Sequence, residues 1–159
     1  MTKRGAFTVI ELFIGIAVMG MISSVALMSV NMAKQTAKRE AERVAAYIYR
    51  VIQSADRRGQ DFTLDMDFQD KKGGGREYYI TITWRKNEKN PDSSFKASAG
   101  YKYSDNFKGN EYDELIYIAK NRQFKTGGRI KIQDADGNTC YVIIGSTEGR
   151  IRISDTSPD

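Results

Sequence analysis

The residues able to do chemistry are few, and their spacing argues against catalysis. The 159-residue chain has no histidine and a single cysteine, Cys140. Without histidine, the commonest general base and the commonest metal ligand are both missing. A lone thiol cannot close an intrachain disulfide, and Cys140 lies in the apolar run "TCYVII", where a buried thiol is expected. "DADGNT" (134–139) faintly resembles a calcium loop, but its glycine comes too early and no distal glutamate follows. It reads as a tight turn. "GGG" at 73–75 lacks the strand-to-helix setting and the Lys-Ser/Thr pair of a phosphate loop. Asp65 and Asp67 share one side of an alternating segment and read as solvent-facing positions. No nucleophile, base and orienting group can be assembled from this set. The chain is expected not to be an enzyme, to hold no metal and to need no cofactor.

Two charged sets remain. Glu11 is the only charged residue between Phe7 and Ala33. In the apolar part of a membrane span a carboxylate costs about 2.5–3.5 kcal/mol, somewhat less near the interface, so it needs a partner at its own depth. The second set is basic. In "GRIRIS" alternation puts Arg150 and Arg152 opposite Ile151 and Ile153, and Arg129 and Lys131 alternate outward in "GRIKIQ". Such charges discourage edge-to-edge strand pairing, or they form a small patch for nucleic-acid phosphates. The net charge of +5 is mild, as expected of a mixed-charge surface.

Positioning these residues requires two kinds of element. The apolar run exceeds the roughly 20 residues a membrane-spanning helix needs, and is about twice the length of a signal-peptide apolar region. With Lys3 and Arg4 before it and nothing basic until Lys34, the amino terminus is expected to stay cytoplasmic and the rest to face the periplasm. The helical period continues through Ala37, Ala41, Val44, Ala45, Ile48, Val51, Ile52 and Ala55, marking one apolar face. Lys38, Arg39, Glu40, Glu42, Arg43, Arg50 and Arg57 take the other, and Gly59 is a plausible stop. Beyond it the period is two, with strands expected in "FTLDMDF", "REYYITITW", "ELIYIA", "GRIKIQ", "TCYVIIG" and "GRIRIS". "DADGN" supplies an Asp-Gly hairpin turn. Residues 85 to 114 read as an exposed polar loop region with "YKY" as a candidate short strand. The expected class is α+β: one long N-terminal helix, apolar and transmembrane in its first half and amphipathic in its second, packed on a mostly antiparallel sheet.

The segment "KRGAFTVIELFIGIAVMGMI" resembles the prepilin signature of type IV pilins and type II secretion pseudopilins: a short basic leader, a small residue, an aromatic, Thr, two apolar residues, Glu and a long apolar helix. That resemblance implies a pilin-like fold, with residues 1–6 a leader, 7–33 a transmembrane and filament-core helix, and 34–159 a periplasmic domain (helix 34–58, sheet 61–154). It implies cleavage by a prepilin peptidase at the Gly5, Ala6, Phe7 stretch, N-methylation of Phe7, and passage from the inner membrane into a pilus or pseudopilus. Its partners would be other pilins or pseudopilins and an inner-membrane assembly platform. Glu11 would pair with the new amino group of an adjacent subunit, compensating both charges in a low dielectric. The common leader ends in Gly directly before the aromatic, whereas here Ala6 intervenes. Cleavage after Ala6 keeps Glu11 fifth in the mature chain, as the family pattern asks.

More loosely, the helix running into "DFTLDMDF" and the closing "CYVIIGSTEGRIRI" resemble the H-type pseudopilins and FimT-like minor pilins. In the latter, arginines like Arg150 and Arg152 would contact DNA, with Arg129 and Lys131 beside them. Mass spectrometry of the mature amino terminus is expected to find a methylated Phe7. A chain beginning at Ala6, or an uncut one, would contradict the register of Glu11.

Overall fold

The computed structural model describes residues 9–72, 74–85, 94–107, 114–147 and 149–157, and within the helix the side chains at 9–10, 12–21 and 36–58. Helix α1 covers Val9–Arg58, 50 residues, about 75 Å at 1.5 Å per residue. It stops where glycine permits. Gly59 has φ +60, and the Gln60 N–H donates to the Ala55 carbonyl at 3.1 Å, the closure typical of a helix ended by a left-handed glycine. Arg57 and Arg58 in the last turn face the negative end of the helix dipole.

Among the described residues nine strands follow: β1 (Phe62–Asp70), β2 (Arg76–Trp84), β3 (Ser94–Lys96), β4 (Lys102–Asp105), β5 (Leu115–Ile118), β6 (Gln123–Phe124), β7 (Gly128–Gln133), β8 (Thr139–Ile144) and β9 (Ile151–Ser154). They form two antiparallel sheets, a five-stranded one in the order β3-β2-β1-β5-β6 and a four-stranded one in the order β4-β7-β8-β9. At the β7–β8 turn Gly137 has φ +87. The Asp134 carboxylate accepts from the main-chain N–H groups of Asp136 and Asn138, so this acidic cluster is spent on its own turn.

The expected architecture is corrected on three counts. First, among the described residues no helix is long and apolar enough to cross a membrane. The transmembrane half expected over 7–33 is therefore not sustained, and neither is a single-pass inner-membrane placement. Second, the strands divide into two sheets where one was expected, because β4 pairs with β7 and not with β3. Third, the stretch expected as an exposed loop region holds, besides the short strand expected at "YKY" and found as β4, the strand β3, and it buries Tyr103 and Phe107. Short strands between polar residues carry little periodicity to read.

The core lies between the distal half of α1 and the inner faces of the sheets. Ala37, Ala41, Val44, Ala45, Ile48, Val51, Ile52 and Ala55 are all buried, and this part of α1 packs on β7, β8 and β9. There it meets Ile130, Ile132, Val142 and Ile144, each worth about 1.5–3 kcal/mol when fully buried. On the other sheet an aromatic group forms around Phe62, whose ring lies 5.1 Å from Tyr117, 5.5 Å from Trp84 and 5.9 Å from Phe124. Gly128 starts β7 because nothing larger fits: a Cβ there would sit 2.8 Å from a methyl of Leu115 and 2.9 Å from the Phe107 ring.

Glu40, expected on the polar face, is 3% exposed. It borders the alanine stripe, and the segment after β3 folds over it. Its carboxylate accepts from the Ser98 N–H at 2.8 Å, the Ser98 hydroxyl at 2.9 Å and the Tyr103 hydroxyl at 2.8 Å, and pairs with Arg43. Burial alone would raise its pKa, but these hydrogen bonds outweigh burial and hold the carboxyl below its ordinary 4.5. A depressed folded-state value stabilises the fold above about pH 4.5, and that contribution is lost as pH falls through the folded value. Glu40→Gln is expected to cost about 2–3 kcal/mol near neutral pH. In urea unfolding, the gap from wild type should close in acid, and a gap that stays constant with pH would refute the assignment.

Candidate functional site

The expected cleavage and methylation residues Gly5, Ala6 and Phe7 lie outside the described residues, as does the side chain of Glu11. What surrounds Glu11 on α1 is described. Val9, Ile10, Leu12, Phe13, Ile14, Ile16, Val18, Met19 and Met21 are all between 49% and 72% exposed. With an advance of about 100° per residue, these positions cover every side of the helix. The segment is apolar all round and the chain's own domain does not cover it.

The basic residues gather on the outer face of the four-stranded sheet, opposite the helix. Register fixes their places. Arg129 and Arg152 flank Ile143, one on each side, about 10 Å apart at the usual strand spacing. Lys131 sits between Ser104 and Tyr141. Arg150 precedes β9 and shares the parity of Arg152, and its carbonyl accepts from the Gly145 N–H at 2.8 Å. Gly145 carries no side chain at that point of the face. The Arg129 main-chain N–H donates to the Asn106 side chain at 2.7 Å, and its guanidinium to the Ser157 hydroxyl at 3.2 Å.

A hollow of about 200 Å³ opens beside Arg129 and Lys131, lined also by Ser104, Asp105, Asn106, Tyr141 and Ser157. Asp105 is its one acid, and that carboxylate already accepts from the Phe107 N–H at 2.9 Å. Chemically the hollow can hold an anion. Tyr141, Ser104 and Asn106 were missed in the sequence. Tyr141 was findable, since in "TCYVII" it alternates with the buried Cys140 and Val142, but Ser104 and Asn106 reach the site only through the β4–β7 pairing.

Cys140 faces inward. Its Sγ lies 3.5 Å from the Ser154 carbonyl and 3.6 Å from the Asp155 carboxylate. Burial, reinforced by Asp155, pushes the thiol up to about 11, so little thiolate exists at neutral pH. Among the described residues no three His, Cys, Asp or Glu side chains converge as a metal ion would require. No protein-family model matches the chain, and no curated protein or solved structure is significantly similar to it. The functional reading therefore rests on the chain's own residues.

Proposed function

We propose that this chain is a filament subunit, a minor pilin or pseudopilin, processed by a prepilin peptidase and held in its filament through the amino-terminal part of α1. One observation carries the reading: the helix from Val9 to Met21 exposes large apolar side chains on all its sides, beside a domain that has its own closed core. Each such side chain gains about 1.5–3 kcal/mol on full burial, and like helices packed around it would supply that burial. The resemblance of "GAFTVIEL" to the prepilin signature gives Glu11 its role. It would neutralise the amino group of a neighbouring subunit inside an apolar bundle, where a charge without a partner is costly.

The test is in-cell cross-linking. A cysteine at Ile16 is expected to trap the chain with other subunits that carry apolar amino-terminal helices. Glu11→Val should cut that product by about tenfold, the effect of about 1.4 kcal/mol, while the circular dichroism of the domain stays unchanged. Full assembly of Glu11→Val, or the absence of any cross-linked subunit, would sink the reading.

A second reading is favoured by the sheet register, which lines up Arg129, Lys131 and Arg152 on one face with Tyr141 among them. On this reading the subunit binds DNA through its phosphates. Mobility shifts with the full chain at low salt should show sequence-independent binding. Arg129→Ala with Arg152→Ala should then lower the salt dependence by about two counterions. If binding is absent, or is indifferent to the pair, the arginines are ordinary surface charges, and only Arg152, on the edge strand β9, protects a sheet edge.

A further inference from the structure

At the opposite side of the molecule from the β5–β6 turn, a second cleft lies between the β1–β2 hairpin and the segment that joins β3 to β4. It has a volume of about 600 Å³, within the range of about 300–1,000 Å³ usual for small-ligand sites. Four cations line it, Lys71, Arg76, Lys96 and Lys102, and one acid, Glu77. Both Lys71 and Lys96 reach the same carboxylate oxygen of Glu77, at 2.8 and 2.9 Å. The Tyr79 hydroxyl donates to the other oxygen at 2.8 Å. Arg76 pairs with Asp70 at 3.1 Å while lying 4.6 Å over the Phe68 ring.

The charge is out of balance. One carboxylate serves two ammonium groups, and even with Asp70 counted the cleft keeps two positive charges in excess. Each ammonium has three donors; both spend one on Glu77, and Lys96 also meets Tyr79. The lysine side chains are about half exposed, so their remaining donors are open to an incoming anion. Glu77 is held ionised down to about 2, chiefly by its hydrogen bonds to Lys71 and then Lys96, so it stays a competing anion at every physiological pH. Gly74, Gly75 and Gly100 line the cleft with positive φ and leave its walls without side chains at those points.

We infer that this cleft binds a small polyanion with two or more carboxylate or phosphate groups, which shares Lys71 and Lys96 with Glu77 and reaches Lys102. The site is separate from the apolar segment of α1 and meets the outer face of the four-stranded sheet only at Lys102, which shares the parity of Ser104 on β4, so it stands independently of the proposed filament role.

Titration calorimetry of the full-length chain in low salt tests it, with citrate as the carboxylate probe and pyrophosphate as the phosphate probe. At least one should bind, and the stronger names the group preferred. Raising the salt should weaken binding, since partly exposed charges are screened over about 8–10 Å. Lys71→Ala combined with Lys96→Ala should weaken it by about tenfold or more, whereas Lys120→Ala, in the β5–β6 turn, should not change it. Glu77→Gln gives the sharper signature. It removes the internal competitor and should tighten binding several-fold, which a merely structural Glu77 would not do. Binding of neither probe, binding indifferent to the lysine pair, or weaker binding by Glu77→Gln would each overturn the inference.

Discussion

The stripe from Ala37 to Ala55 on α1 is the constraint on which the rest of the molecule depends. Four of its eight positions are alanine, so the helix backbone can lie close to the sheet, while Val44, Ile48, Val51 and Ile52 fill the space between. α1 is also the element that ties the two sheets together. It packs directly on β7, β8 and β9. It touches the five-stranded sheet through Tyr47, whose ring lies 5.2 Å from Phe95, and through Asp56, which accepts from the Tyr117 hydroxyl at 2.8 Å. Glu40 adds a polar clasp on the same helix, and its burial is tolerable because every approach to the carboxylate brings a donor.

One continuous helix thus serves two environments. Its distal half has its apolar side buried by the domain and its charged side in water. Its described stretch from Val9 to Met21 carries exposed apolar side chains, the feature on which the proposed filament role rests. The two charged surfaces lie elsewhere, on the outer sheet face and in the cleft beside the β1–β2 hairpin, and their excess positive charge points to anions in both cases.

Much of the fold was legible because period and burial agree. The three- and four-residue spacing from Ala37 to Ala55, the alternation in "GRIKIQ" and "TCYVII", and the Asp-Gly turn between them each follow from local geometry. Other features were not legible. Glu40 belongs by type to the polar face, and only the 98–103 segment folding over it makes it a buried acceptor. β3 and β6, of three and two residues, are too short for alternation to show. Phe68 alternates correctly with Phe62 and Leu64 but is 52% exposed, because the β1–β2 hairpin runs on past the core. Of the candidate sites, the parity of Arg129, Lys131, Arg150 and Arg152 could be read along each strand. Their assembly on one face, and the convergence of two lysines on Glu77, depend on strand pairing.

The sequence by itself determined the apolar segment with its lone carboxylate, the buried stripe of α1, the strand faces and the absence of histidine. These are properties of residue type and spacing, which act within a few positions along the chain. Only the tertiary structure decided that the strands form two sheets, that Glu40 is interior, and that four cations surround one acid in a cleft. Those outcomes depend on which distant segments pair. Pairing is set by the combined burial of both partners, and no local pattern contains it.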